Sequence, residues 1–144
     1  MKSNHLLLAL ALFLSAGLFG QQKNIRSSEV PAATVAAFQK NFSGASKVKW
    51  EKENGAYEVN FVQNSKEMSA LLDSKGDLKE TEVEIKVSEL PSQVTEYVKK
   101  NYNASVEKAA KITKANGEVT YEAEVKHKDV IFNSNGKFIK EEKD

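Results

Sequence analysis

Two stretches of the chain carry apolar or small residues at every fourth position. Val30, Thr34, Phe38 and Phe42 stand at i, i+4, i+8 and i+12, and Leu90, Val94, Val98 and Tyr102 do the same. That spacing lays one stripe along a helix, so each stretch is predicted to be an amphipathic helix packed on a core. Pro31 and Pro91 sit where a helix tolerates proline, in the first turn, whose N–H groups have no intrahelical partner. Ser28-Glu29 and Ser88-Glu89 just upstream offer a capping oxygen and a negative charge to the helix N-terminus. Ser43-Gly44 and Asn101–Asn103 are stop signals.

After each helix come four short runs with strand character. Asn54-Gly55 and Asn116-Gly117 are two-residue hairpin signals, because both central positions of a type I′ turn need positive φ. Centring the first hairpin on its turn pairs Trp50 with Val59, Val48 with Phe61 and Lys52 with Tyr57. Glu51 then faces Glu58 and Lys49 faces Asn60 on the other side. The same exercise in the second hairpin pairs Ile112 with Tyr121, Ala110 with Ala123 and, on the polar side, Lys111 with Glu122. Apolar pairs meet apolar pairs, so one sheet face is core and the other is wet. The third and fourth runs are joined at Asp73–Asp77 and Asn133–Lys137. Val83 and Ile85 inward place Glu82 and Glu84 outward, and Leu78 then falls out of phase unless a bulge intervenes.

The chain repeats itself at a spacing of 60 residues. Ser28-Glu29-Val30-Pro31 returns as Ser88-Glu89-Leu90-Pro91, and Leu71–Gly76 as Ile131–Gly136. The Asn-Gly pairs lie 62 apart, an offset that loops absorb. The expected fold is α+β: a tandem repeat of one helix plus a four-stranded antiparallel meander, over 30–85 and 86–144, with the helices on one sheet face. Units this small without disulfides are marginal alone, so the two are expected to form one structural body.

Residues 1–20 read as an export signal: Lys2, an apolar run from Leu6 to Leu14, then Ser15, Ala16 and Gly17. The run is too short to span a membrane as a helix. Residues 21–29 are a polar lead-in. The expected location is periplasmic or secreted, with no membrane association after cleavage. There is no cysteine, hence no disulfide framework, thiol nucleophile or Cys-ligated zinc. Charges nearly cancel, 21 Lys+Arg against 20 Asp+Glu, which argues against a nucleic-acid-binding domain.

The tandem Val/Leu-Pro helices, Lys47–Glu51, Asn54–Glu58 and the run Asn135–Glu142 resemble the PepSY-like family of secreted bacterial proteins, relatives of β-lactamase-inhibitor-like folds. The resemblance covers about residues 30–142 and implies a helix-on-sheet repeat outside the cytoplasm. It implies no catalytic residue. It does imply a binding role, since PepSY-type domains are associated with protease inhibition and β-lactamase inhibitor protein blocks its target with a sheet face. That inhibitor carries disulfides, whereas this chain has none to form.

The chemistry available points the same way. His127, in the turn Lys126–Lys128, is the only histidine after the signal, and no nucleophile elbow, phosphate-cradling glycine pattern or zinc spacing accompanies it. The expectation is therefore no enzyme, no cofactor and no metal. The candidate site is the wet sheet face, with Glu51, Glu58, Glu82, Glu84, Lys111, Glu122 and Glu124 as partner-binding residues. The expected partner is an extracytoplasmic protein, and the chain a monomer or weak dimer; the alternative is a small-ligand or cation carrier, calcium included. Trp50, Tyr57, Phe61 and Tyr121 are read as core.

Overall fold

The computed structural model describes residues 23–143. The proposed signal segment, 1–20, lies outside the described residues. The described residues form two α-helices, α1 (Ala32–Asn41) and α2 (Ser92–Tyr102). The strands are β1 (Lys23–Ile25), β2 (Ser46–Glu53), β3 (Ala56–Gln63), β4 (Lys66–Leu72), β5 (Leu78–Ile85), β6 (Lys108–Lys114), β7 (Val119–Glu124), β8 (Lys128–Asn133) and β9 (Phe138–Lys143). They make one antiparallel meander in strict sequence order, β1 to β9. Each helix thus precedes four strands, and β5 pairs with β6 from Glu80↔Lys114 to Ile85↔Ala109, so the sheet runs through the centre without a break.

Residues 23–25, read as part of a polar lead-in, form the first strand, pairing Ile25 with Trp50. Ile25 packs on the first core, so an apolar side chain holds the segment down.

Both helices lie on one face. Phe38 is the centre of the first core, with ring centroids 5.4 Å from Trp50, 5.1 Å from Phe61 and 5.6 Å from Phe42. In the second core Tyr97 stacks on Phe138 at 5.0 Å and meets Phe132 edge-on at 5.5 Å. Thr34, at a stripe position, is buried and donates its hydroxyl to the Asp73 carbonyl at 2.8 Å, tying α1 to the β4–β5 turn. Gly76 of that turn is needed twice over: its φ is +89°, and a Cβ would meet the Ala33 carbonyl oxygen of α1 at 2.7 Å.

The helix starts differ from expectation. Pro31 and Pro91 themselves hold the cap positions, without a side-chain cap. Ser27–Glu29 and Val87–Glu89 form 3-10 turns instead, and Glu29 and Glu89 close them by accepting the Arg26 and Lys86 N–H groups at 2.9 and 2.8 Å.

The first hairpin has its expected two-residue turn, with Asn54 at φ +43° and Gly55 at +85°. Trp50↔Val59, Glu51↔Glu58, Lys49↔Asn60 and Lys52↔Tyr57 pair as read from the sequence. Val48 does not reach Phe61: the register shifts between Ser46 and Lys49, Lys47 takes φ +53°, and Val48 is 40% exposed. That bulge rotates Val48 out of the core. The second hairpin also departs. Gly117 donates to the Lys114 carbonyl at 2.9 Å and Lys114 to that of Glu118 at 2.9 Å, which closes a three-residue loop with a glycine bulge. The odd loop length shifts the register by one, giving Ala109↔Ala123, Ala110↔Glu122, Lys111↔Tyr121 and Ile112↔Thr120.

The phase of Leu78, left open by alternation, is settled by a bulge, since Leu71 pairs with Glu80 but Leu72 with Leu78. A matching shift occurs where Ile131 pairs with Lys140 and Phe132 with Phe138.

Candidate functional site: the helix-free face of the sheet

Directly paired residues of neighbouring strands project to the same face, so the ladder assigns every side chain. Three rows cross the face opposite the helices. One runs Glu51, Glu58, Leu71, Glu80, Lys114. The next runs Asn60, Ser69, Glu82, Ile112, Thr120. The third includes Glu84, Ala110, Glu122 and Ile131, and Glu124 lies beyond it, opposite Lys108 and Asp129. The structure therefore brings Glu51, Glu58, Glu82, Glu84, Glu122 and Glu124 onto one face. Lys111 is not among them. It pairs with Val83 and Tyr121 on the helix face, where it is exposed, because of the one-residue shift in the second hairpin.

The face is not the wet surface that alternation suggested. Glu58 and Glu122 are each 3% exposed and Glu82 only 1%, and Ser69, Ala110, Ile112, Thr120, Asp129 and Ile131 are buried beside them. No described helix covers these residues, and one groove is lined from β2 through β7, so the sheet curves around its own centre on this side. Strand twist accumulates over a broad antiparallel sheet and makes one face concave. Glu84 stays exposed, and Glu51 and Glu124 are half-buried. Alternation reveals which face a residue occupies, but curvature depends on the summed twist and bulges of all the strands. The small residues Ser69 and Ala110 amid longer ones were the available clue to the hollow.

That hollow is a groove of about 600 Å³ lined from β2 through β7. Lys47, Lys49 and Lys108 line it with ammonium groups, and Glu67, Glu82, Glu84, Glu122 and Glu124 with carboxyl groups. Burial pushes the Glu82 carboxyl well above its ordinary range, and the neighbouring Glu122, Glu58, Glu80 and Asp129 push it further in the same direction. Both effects disfavour its charged form. Glu80 is raised by burial as well, opposed by Lys114 and Lys140. Neither carboxyl oxygen of Glu82 has a hydrogen-bond partner among the described residues.

A second hollow, about 640 Å³, lies at the sheet edge between Asn24–Ser27 and Val48–Trp50. His127 occupies a two-residue turn at φ +61° and is exposed. Among the described residues no group of three His, Cys, Asp or Glu side chains is placed to hold a metal ion. No described helix is long and apolar enough to cross a membrane.

Solved structures share this architecture. A BLIP-like protein from Bacteroides fragilis is 23% identical, with a TM-score of 0.59 over 78% of this chain and 85% of that one. A DUF2874 family protein from Bacteroides uniformis is 17% identical, with a TM-score of 0.64 over 78% and 88%. A protein from Bacteroides eggerthii described as periplasmic is 13% identical, with a TM-score of 0.66 over 78% and 88%. No curated protein matches the chain. The model of one family matches residues 19–80 and again residues 65–140. The chain belongs to that family, described as "Putative beta-lactamase-inhibitor-like, PepSY-like".

Proposed function

We propose that this is a periplasmic or secreted, non-enzymatic protein-binding module, an inhibitor of an extracytoplasmic enzyme, that receives its partner on the concave sheet face. The observation that carries the reading is the face itself: a broad helix-free surface with a groove of about 600 Å³ and carboxylates held in its floor. Such a surface has the shape to seat a protruding loop. The family's likeness to β-lactamase inhibitors and the description of similar structures as periplasmic support it. So does the charged start and apolar run of residues 1–20. We also read the two halves, each a helix followed by four strands, as copies of one unit fused through the β5–β6 ladder.

The test is capture from an envelope extract, with the protein and its Glu84→Lys/Glu124→Lys variant as parallel baits. Glu84 is exposed and Glu124 half-buried, and neither is part of the two helix-side cores, so the reversal should leave those cores intact. A protein retained by the first and lost by the second supports the face; equal retention by both overturns it. A second reading, a small-ligand carrier, is favoured by the groove's volume, which falls within the usual range for ligand pockets. It predicts a rise in melting temperature with the right ligand.

A further inference from the structure

The floor of the groove specifies what kind of group should enter it. Glu82 lies on a central strand, 1% exposed, lining the groove, with both oxygens lacking a hydrogen-bond partner among the described residues. Its row neighbours are Ser69 and Ile112, and the next row holds Glu84, Ala110 and Glu122. Ser69 and Ala110 are short, and the space above them is the groove. The charges acting on Glu82 are Glu122 and Glu58, from β7 and β3, Glu80 from its own strand, and Asp129 from β8. All are carboxylates. Of the lysines on this face, Lys114 and Lys140 act on Glu80, and Lys140 is paired with Glu142 of β9. Lys108 lines the groove with Glu84 and Glu124.

A buried carboxyl without a donor is costly, and the natural relief is a group bringing both N–H donors and positive charge. We infer that the groove receives the ammonium or guanidinium head of one lysine or arginine side chain, carried by an extended segment of the partner protein, with Glu82 and Glu122 in the floor and Glu84 and Glu124 flanking it. The inference rests on the protein-binding reading of this face. A protein segment fits better than a free polyamine. Lys47, Lys49 and Lys108 also line the groove and repel a multiply charged cation, whereas a single basic residue among neutral or acidic neighbours meets both signs. Uptake of the cation requires the charged carboxylate, so binding releases a proton and strengthens as pH rises through the titration of Glu82.

The probe is a capped five-residue peptide with a central lysine, titrated by NMR at pH 5 and pH 8 beside the same peptide carrying norleucine. The lysine peptide should bind about tenfold more tightly than the norleucine one at pH 8. That advantage should shrink at pH 5 and disappear in Glu82→Gln at both pH values, with the Ala110 and Ile112 amides reporting the site. Equal binding of the two peptides by the native protein, or no binding of the lysine peptide, overturns the inference even if Glu82→Gln fails to fold. Unchanged lysine binding in folded Glu82→Gln overturns it too. Putrescine binding as tightly as the peptide overturns the protein-segment source. Loss of a captured partner in Glu84→Lys/Glu124→Lys alongside equal peptide binding would leave the face standing and remove only the cation. Equal capture by both baits would remove the face itself.

Discussion

Glu82 shows how far position overrides residue type. A glutamate in a strand is ordinarily solvated surface; here it sits under a curved sheet among other carboxylates. Its folded form holds a proton more tightly than the unfolded chain, whose carboxyl titrates near the ordinary 4.5. Stability from this group is therefore fully present below that value and is lost as pH rises toward the folded value. Asp73 works in the opposite sense. The side chain of Lys79, 2.8 Å away, and the N–H groups of Asp77 and Lys75 lower it to about 2, so its contribution is present above pH 3.8 and is lost as pH falls through about 2. Glu82→Gln should flatten the decline in melting temperature between pH 5 and pH 8 and leave the acid side unchanged. Thermal denaturation across that range checks this, and an unaltered slope would mean that Glu82 holds its proton no more tightly in the folded chain than in the unfolded one.

At the scale of elements, the same four-residue stripe makes two helices but fills them differently. Phe38 clasps Trp50 and Phe61, while its counterpart Val98 leaves room for Tyr97 to stack on Phe138. Phe38→Ala should destabilise the protein by about 3–5 kcal/mol and shift the emission of Trp50, the only tryptophan, to longer wavelength. Val48→Ala, two residues from Trp50 but turned out by the bulge, should cost less than about 0.5 kcal/mol. Denaturant titration followed by fluorescence measures both, and a large loss at Val48 would contradict the bulge. The two Asn-Gly hairpins carry the same lesson. Asn54-Gly55 closes a two-residue loop, Asn116-Gly117 part of a three-residue one, and the difference carries Lys111 to the opposite face.

At the scale of the whole molecule, the described residues build one sheet with two cores along it. The first core contains Trp50 and the second contains no tryptophan, so fluorescence reports one half and far-ultraviolet circular dichroism reports both. The β5–β6 ladder couples the halves through six residue pairs. Urea unfolding should therefore give one transition, coincident by the two probes. Two separated transitions would show that the halves fold independently.

Local pattern was enough for both helices, the four pairs of the first hairpin from Lys49 to Lys52, and the placing of Glu51, Glu58, Glu82, Glu84, Glu122 and Glu124 on one face. Each of these depends on periodicity and turn chemistry within a few residues, and the chain carries that information directly. The strand at 23–25, the outward turn of Val48, the side on which Lys111 falls and the burial of Glu58, Glu82 and Glu122 were decided only by the tertiary structure. They depend on a distant pairing partner, on the choice between two loop closures that the same Asn-Gly pair permits, and on twist summed over nine strands. No short window of sequence contains that sum, and it is the sum that turns an ordinary acidic sheet face into a groove with a buried carboxylate in its floor.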